Sequence, residues 1–178
     1  MDHNAKLKNE ELNRISVDAF KNAPKTPVVV ILDNIRSLNN IGSIFRTCDA
    51  FRIEAIHLCG ITAQPPHREI QKTALGATDS VSWKYFKNTI ESVKELKSEG
   101  YQVVSIEQAH NKTFLQNYPI HKAVKYALVF GHEVNGVSQE IVNESHDVIE
   151  IPQYGTKHSF NLSVSVGIVL WEFNKRLN

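Results

Sequence analysis

Val28-Val29-Val30-Ile31-Leu32 is a run of five apolar residues, four of them β-branched, lying between the Pro24 to Pro27 break and the polar pair Asp33-Asn34. A strand with one face in water alternates apolar and polar residues. An unbroken run reads instead as a strand covered on both faces, as in parallel sheets. Similar short runs recur at Ala55–Leu58, Tyr101–Ile106, Tyr126–Phe130 and Val148–Ile151, with helix-like stretches at Ile41–Phe51, Thr89–Glu99 and Ser138–Asn143 between them. This alternation predicts an α/β fold, a mostly parallel sheet flanked by helices. Upstream, Lys6–Asn22 carries Leu7, Leu12, Ile15 and Phe20 at roughly helical intervals. The expected layout is an N-terminal helical extension over 1–27 and a single domain over 28–178, without repeats or linkers.

The C-terminal segment fits two periods. Leu162, Val164, Val166 and Ile168 alternate, but Leu162, Val166, Val169, Leu170, Phe173 and Leu177 keep helical spacing over a longer span, and length decides for helix. Ser159 suits its N-cap, and Lys175 and Arg176 suit its C-terminal end. Gly167 inside it either admits a neighbouring backbone or is simply tolerated, at about 1 kcal/mol relative to Ala.

The 178 residues, 42% hydrophobic and 22% charged, describe one globular domain that needs neither disulfides nor metal to fold. A net charge of +1 does not advertise nucleic-acid binding, so any polyanion must be met by a local patch. Cys48 and Cys59 are too few for a disulfide framework, no apolar run reaches membrane-spanning length, and Met1–Glu10 lacks the apolar stretch of a signal peptide. A cytoplasmic location is expected, and the Asn-x-Ser/Thr triplets at Asn111, Asn143 and Asn161 are read as chance. Gly131 and Gly136 have P-loop spacing, but Val137 stands where the lysine belongs. No G-x-G-x-x-G, G-x-S-x-G, H-E-x-x-H or Cys/His cluster occurs, so no metal is expected.

Three polar, glycine-bearing segments remain, each at the end of an expected strand, where open parallel sheets bind ligands. The first runs from Asp33 through Asn39-Asn40-Ile41-Gly42 to Arg46; its asparagines serve either as helix caps or in a site. Arg46 lies one helical turn beyond Gly42. The second is Phe130-Gly131-His132-Glu133-Val134-Asn135-Gly136, where Glu133 either favours a following helix start or belongs to a site. The third runs Ile151-Pro152-Gln153-Tyr154-Gly155, then Ser159-Phe160-Asn161-Leu162-Ser163.

In this order the three resemble the motifs of the SpoU (TrmH) family of RNA ribose methyltransferases, in the SPOUT superfamily. Asn40-Ile41-Gly42 through Arg46 matches N-x-G-x-x-x-R, Phe130–Gly136 matches F-G-x-E-x-x-G, and the third segment matches I-P-x-x-G followed by S-L-N-V-S. The chain departs with Phe160 for Leu, Leu162 for Val, and Gln153 where Met is common. The resemblance implies methyl transfer from S-adenosylmethionine to a ribose 2′-hydroxyl of tRNA or rRNA, a C-terminal deep trefoil knot, and a homodimer. It implies catalytic or site-shaping positions at Arg46, Asn40, Glu133, Ser159 and Asn161. Cofactor contacts are implied at Ile106 and Glu107, at Gly131, at Ile151, and at Ser159 and Phe160. A guanidinium is not readily deprotonated, so Arg46 is read as an anchor for phosphate or ribose and a stabiliser of developing negative charge, with proton acceptance as the competing view. Asn40 would hold Arg46 or the ribose, and Glu133 would hold Asn40 or the loop.

Candidate RNA contacts are Arg36, Arg46, Arg52, Arg68, Lys72, Lys84, Lys157 and His158, with Pro65–Glu69 expected as an exposed loop beside the site. The absence of an appended domain favours tRNA slightly over rRNA. Two alternatives stand beside this reading, a non-catalytic RNA-binding paralogue of the same fold and a generic α/β nucleotide-binding protein.

Overall fold

The structure, a computed structural model, describes residues 4–178. The decisive apolar run forms strand β1 (Thr26–Asp33), third from one edge of a seven-stranded sheet. The other strands are β2 (Ile53–Cys59), β3 (Trp83–Phe86), β4 (Tyr101–Ile106), β5 (Thr113–Phe114), β6 (Lys125–Phe130) and β7 (Asp147–Glu150). Their order is β3-β2-β1-β6-β4-β7-β5, and every neighbouring pair runs parallel. The sheet explains why β1 lacks polar alternation. Val28, Val30 and Leu32 enter one core and Val29 and Ile31 the other, all at most 2% exposed.

Helices α2 (Leu38–Ala50), α3 (Arg68–Ala74), α4 (Ala77–Ser80) and α7 (Leu162–Leu177) cover the first face; α5 (Thr89–Ser98) and α6 (Gln139–Glu144) cover the second. In α2 the buried side chains Ile41, Ile44, Phe45 and Cys48 follow helical spacing. Gly42 sits where α3 comes closest, since a Cβ there would collide with the Ile70 carbonyl. Asn40 at the start of α2 meets Asn161 at the start of α7, and Phe51 at its end meets Trp171 with ring centroids 6.1 Å apart. The two helices therefore lie side by side and point the same way.

Several expectations need correction. The stretch Lys6–Asn22 is not one helix: a 3-10 turn at Asn9–Leu12 and the short helix α1 (Val17–Asn22) are separated by irregular chain, and only Phe20 of them is buried. Strand β1 takes in Thr26 and Pro27, so the extension ends before residue 27. Pro65–Glu69 is a loop only through His67, because Arg68 and Glu69 open α3, whose Ile70 and Ala74 are buried. Ser37 caps α2, its hydroxyl accepting from the Asn40 N–H, so neither Asn39 nor Asn40 does so. Asn161, not Ser159, caps α7, because its Oδ1 accepts from the Ser163 and Val164 amides. Among the described residues outside the helix's own backbone, nothing comes within 4 Å of a Cβ built on Gly167, so none of them exploits that glycine.

Candidate active site

The carboxyl ends of β1, β6, β4 and β7 are tied together by side chains that reach across to backbone amides. Asp33, 1% exposed, ends β1; its carboxylate accepts from Thr89 Oγ1 at 2.5 Å, Asn34 Nδ2 at 2.9 Å and the Ser138 amide at 3.0 Å. Glu133 returns the favour from the glycine-flanked loop after β6. Its Oε1 accepts from the Ser37 amide (2.9 Å) and Asn40 Nδ2 (3.3 Å), its Oε2 from the Arg36 amide (3.2 Å). Two carboxylates thus cross-brace the loops after β1 and β6. Burial pushes the Glu133 carboxyl up, but hydrogen bonds from its own amide, those of Ser37 and Arg36, and Asn40 outweigh this and hold it below the usual carboxylate range.

Asn40, 9% exposed, passes the linkage on. Its Oδ1 accepts from Asn161 Nδ2 at 3.2 Å, while Asn161 Oδ1 holds the first amides of α7. Glu133, Asn40 and Asn161, from three distant segments, form one hydrogen-bonded row. Glu107 braces the loop from β4, its Oε2 accepting the Val137 amide at 2.8 Å and its Oε1 the Gln108 amide at 2.8 Å. Both of its oxygens therefore serve backbone. Inside the loop, His132 and Gly136 exchange backbone hydrogen bonds of 3.0 and 2.8 Å, and His132 Nδ1 accepts from the amides of Val134 and Asn135. Gly131 is required by this closure, because a Cβ there would overlap backbone atoms of Gly136 and Val137.

Above these braces opens a cleft of about 430 Å³, within the size range of small-molecule sites. Ile106, Phe130, Ile151 and Leu162 supply apolar wall; Glu107, Glu133, His132 and His158 supply polar groups. Gly131, Ser159, Phe160 and Asn161 also line it. Gln108, which sequence reasoning passed over, donates from Nε2 to the His158 carbonyl at 2.7 Å and pins the loop after β7 over the cleft. Asp33, Ser37 and His132 were missed for the same reason: their work is done on backbone amides, which leave no residue pattern.

Arg46 stands apart. It is exposed on the outer face of α2, does not line the cleft, and has no ion pair or hydrogen bond among the described residues. Six positions separate it from Asn40, about 120° around the helix, so Asn40 does not hold it. Of the other candidate RNA contacts, all are exposed, but Lys72 pairs with Glu69 and Lys84 with Glu95, each at 2.7 Å. Among the described residues no His/Cys/Asp/Glu group could hold a metal and no helix is long and apolar enough to cross a membrane.

The SpoU rRNA Methylase family matches residues 27–171, most of the chain. Among curated relatives, the chain is 32% identical over 158 residues to the tRNA (guanosine(18)-2'-O)-methyltransferase of Aquifex aeolicus, covering 84% of this chain and 69% of that protein. It is 27% identical over 159 residues to the 23S rRNA (guanosine-2'-O-)-methyltransferase RlmB of Neisseria meningitidis, covering 89% and 62%. The AdoMet-bound rRNA methyltransferase of Sinorhizobium meliloti superposes with a TM-score of 0.79 at 28% identity, over 89% of this chain and 60% of that one. The chain thus spans less than two thirds of the latter two. A parallel α/β sheet with a braced cleft at its carboxyl edge defines the class, and this chain belongs to the SpoU methylase family.

Proposed function

We propose that this protein transfers a methyl group from S-adenosylmethionine to a ribose 2′-hydroxyl of tRNA or rRNA. The row Glu133–Asn40–Asn161 carries the reading, because it joins all three family motifs at one cleft. The cleft also suits the cofactor: its apolar wall fits an adenine ring, and its carboxylates and carbonyls complement a cationic sulfonium and ammonium. The bound cofactor supplies a methyl group already activated on sulfonium sulfur, so no metal or covalent adduct with the protein is needed.

Ile106, Ile151 and Phe160 would hold the adenosyl part and exclude water. Gly131 and the braced loop would shape the backbone around it. Asn40 and Asn161 would orient the ribose, with Glu133 fixing Asn40, and Ser159 would shape the pocket mouth. Arg46 would anchor the neighbouring phosphate and stabilise negative charge developing on the ribose oxygen as its proton passes to water, the C–S bond breaks and S-adenosylhomocysteine leaves. Its placement on the outside of α2 supports action in the cleft of a second copy. Exposed Val164 and Trp171 on the adjacent helix α7, 49% and 57% accessible, provide an apolar face for such a homodimer. The path from β7 back to α7 beside α2, past the loops after β4 and β6, is where the implied knot would be threaded.

The test is methyl transfer from labelled S-adenosylmethionine to tRNA and rRNA lacking ribose methylation, followed by nucleoside mapping. A 2′-O-methyl nucleoside is expected; base methylation or no incorporation refutes the proposal. Arg46→Ala is expected to lower kcat at saturating RNA, and an unchanged kcat removes Arg46 from the chemistry. Mixing Arg46→Ala with Asn161→Ala protomers should restore part of the activity if the arginine works across the dimer.

A further inference from the structure

Two side chains on the rim of the cleft are more exposed than any other large apolar residue of the described chain. Tyr154 is 93% accessible and Val134 81%, while no other exceeds 65%. Both belong to the loops that build the cleft. Val134 lines it between Glu133 and Asn135, and Tyr154 lies between Gln153 and His158, which line it on the other side. The Tyr154 loop is held at His158 by Gln108, whose Nε2 donates to the His158 carbonyl at 2.7 Å. Among the described residues it has neither an aromatic partner nor a hydrogen bond on its hydroxyl. Lys157, three residues on, is exposed and has no ion pair among them.

We propose that Tyr154 is a stacking platform for a base of the single-stranded RNA segment that delivers its ribose to the cleft, with Lys157 meeting an adjoining phosphate. The inference rests on the RNA ribose reading above and deepens it. A nucleotide's base is bonded to C1′, next to the carbon bearing the 2′-hydroxyl. With that hydroxyl inside the cleft, the base must lie at the rim, where an exposed ring offers a π face and Val134 an apolar edge. Any base stacks on such a ring, so the platform adds affinity without reading sequence. Lys157 beside it supplies local positive charge on a chain whose net charge is only +1.

The experiment measures binding of a short fluorescein-labelled single-stranded oligoadenylate by anisotropy, with S-adenosylhomocysteine present. Tyr154→Ala should weaken binding roughly 5- to 150-fold, the equivalent of about 1–3 kcal/mol for one stacked base, and Tyr154→Trp should restore it. The salt dependence should keep its slope in Tyr154→Ala and become shallower in Lys157→Ala, by roughly 0.7 for one lost contact. An unchanged dissociation constant in Tyr154→Ala overturns the proposal, as does a wild-type chain that does not bind the oligonucleotide. Conversion of Tyr154→Ala to monomers, or its loss of S-adenosylhomocysteine binding, also overturns it by assigning the ring to a subunit contact or to the cofactor. Methyl transfer is read separately, so Tyr154-dependent binding without turnover refutes the activity and leaves the platform standing.

Discussion

Replacing Gly131 with alanine puts a methyl group well inside 3.0 Å of the Gly136 carbonyl carbon and the Val137 nitrogen. Both are backbone atoms, so no rotamer change relieves the overlap, and the loop has to move by about an ångström to reach ordinary contact. That shift lengthens the 2.8 Å bond from the Val137 amide to Glu107 and the 3.0 and 2.8 Å bonds between His132 and Gly136 beyond useful range. Two neutral bonds at about 1 kcal/mol each and one charge-assisted bond at about 2 set an upper bound near 4 kcal/mol, and partial relaxation brings the expected cost to about 2–4 kcal/mol. The cost divides between the two measurements: a loop that yields weakens S-adenosylmethionine binding, by up to about 30- to 1,000-fold, and a loop that resists lowers stability instead. Titration calorimetry with S-adenosylmethionine and urea unfolding read the two parts. Gly155→Ala is the control, since no described residue lies within 4 Å of a Cβ there, and it should leave both unchanged. Cofactor affinity and urea midpoint both at wild-type values in Gly131→Ala would refute the account of the loop.

His57, 6% exposed and bonded through Nδ1 to Ser92 Oγ at 2.8 Å, has its pKa lowered to about 4, chiefly by burial. The unfolded chain therefore takes up its proton first: stability is complete above about pH 6.5 and declines as pH falls toward 4, by about 3 kcal/mol in all. Urea unfolding of wild type and of His57→Leu/Ser92→Ala across that window checks this, and equal slopes would contradict it. Glu133→Gln keeps one acceptor but turns an amide toward the Arg36 N–H, so about 1–2 kcal/mol is expected off the ordering of the loop after β1, read as an RNA KM increase with little loss of melting temperature. A melting loss without a KM change would assign Glu133 to the fold alone. Trp171→Glu places a charge on the exposed apolar face of α7, and sedimentation should show monomers if that face joins two copies.

Burial on both faces is what makes β1, β4 and β6 readable, because the period-2 signal disappears only when both sides of a strand are covered. Strand β3 escaped notice as an edge strand, Trp83-Lys84-Tyr85-Phe86, with exposed residues in its middle, and β5 is two residues long. Helix α3 was hidden because its one buried seam is Ile70 and Ala74, too short to establish a period beside the prolines. In the site, Asn40, Glu133 and Asn161 were legible through their spacing to glycines and to one another. Their hydrogen-bonded row was not, since it spans chain separations that no local pattern encodes. The outward direction of Arg46 does follow from the sequence, because Ile41, Ile44, Phe45 and Cys48 mark the buried seam of α2 and Arg46 falls off it.

The bonds that assemble the row join residues 93 and 121 positions apart, and Asn161 both completes it and starts the last helix. Closing such long loops is slow, and a contact at the start of α7 must await the segment that carries it. A chain still emerging from the ribosome can thus build most of its sheet while its cleft lacks a wall. Competence to bind ligand waits until α7 has docked alongside α2.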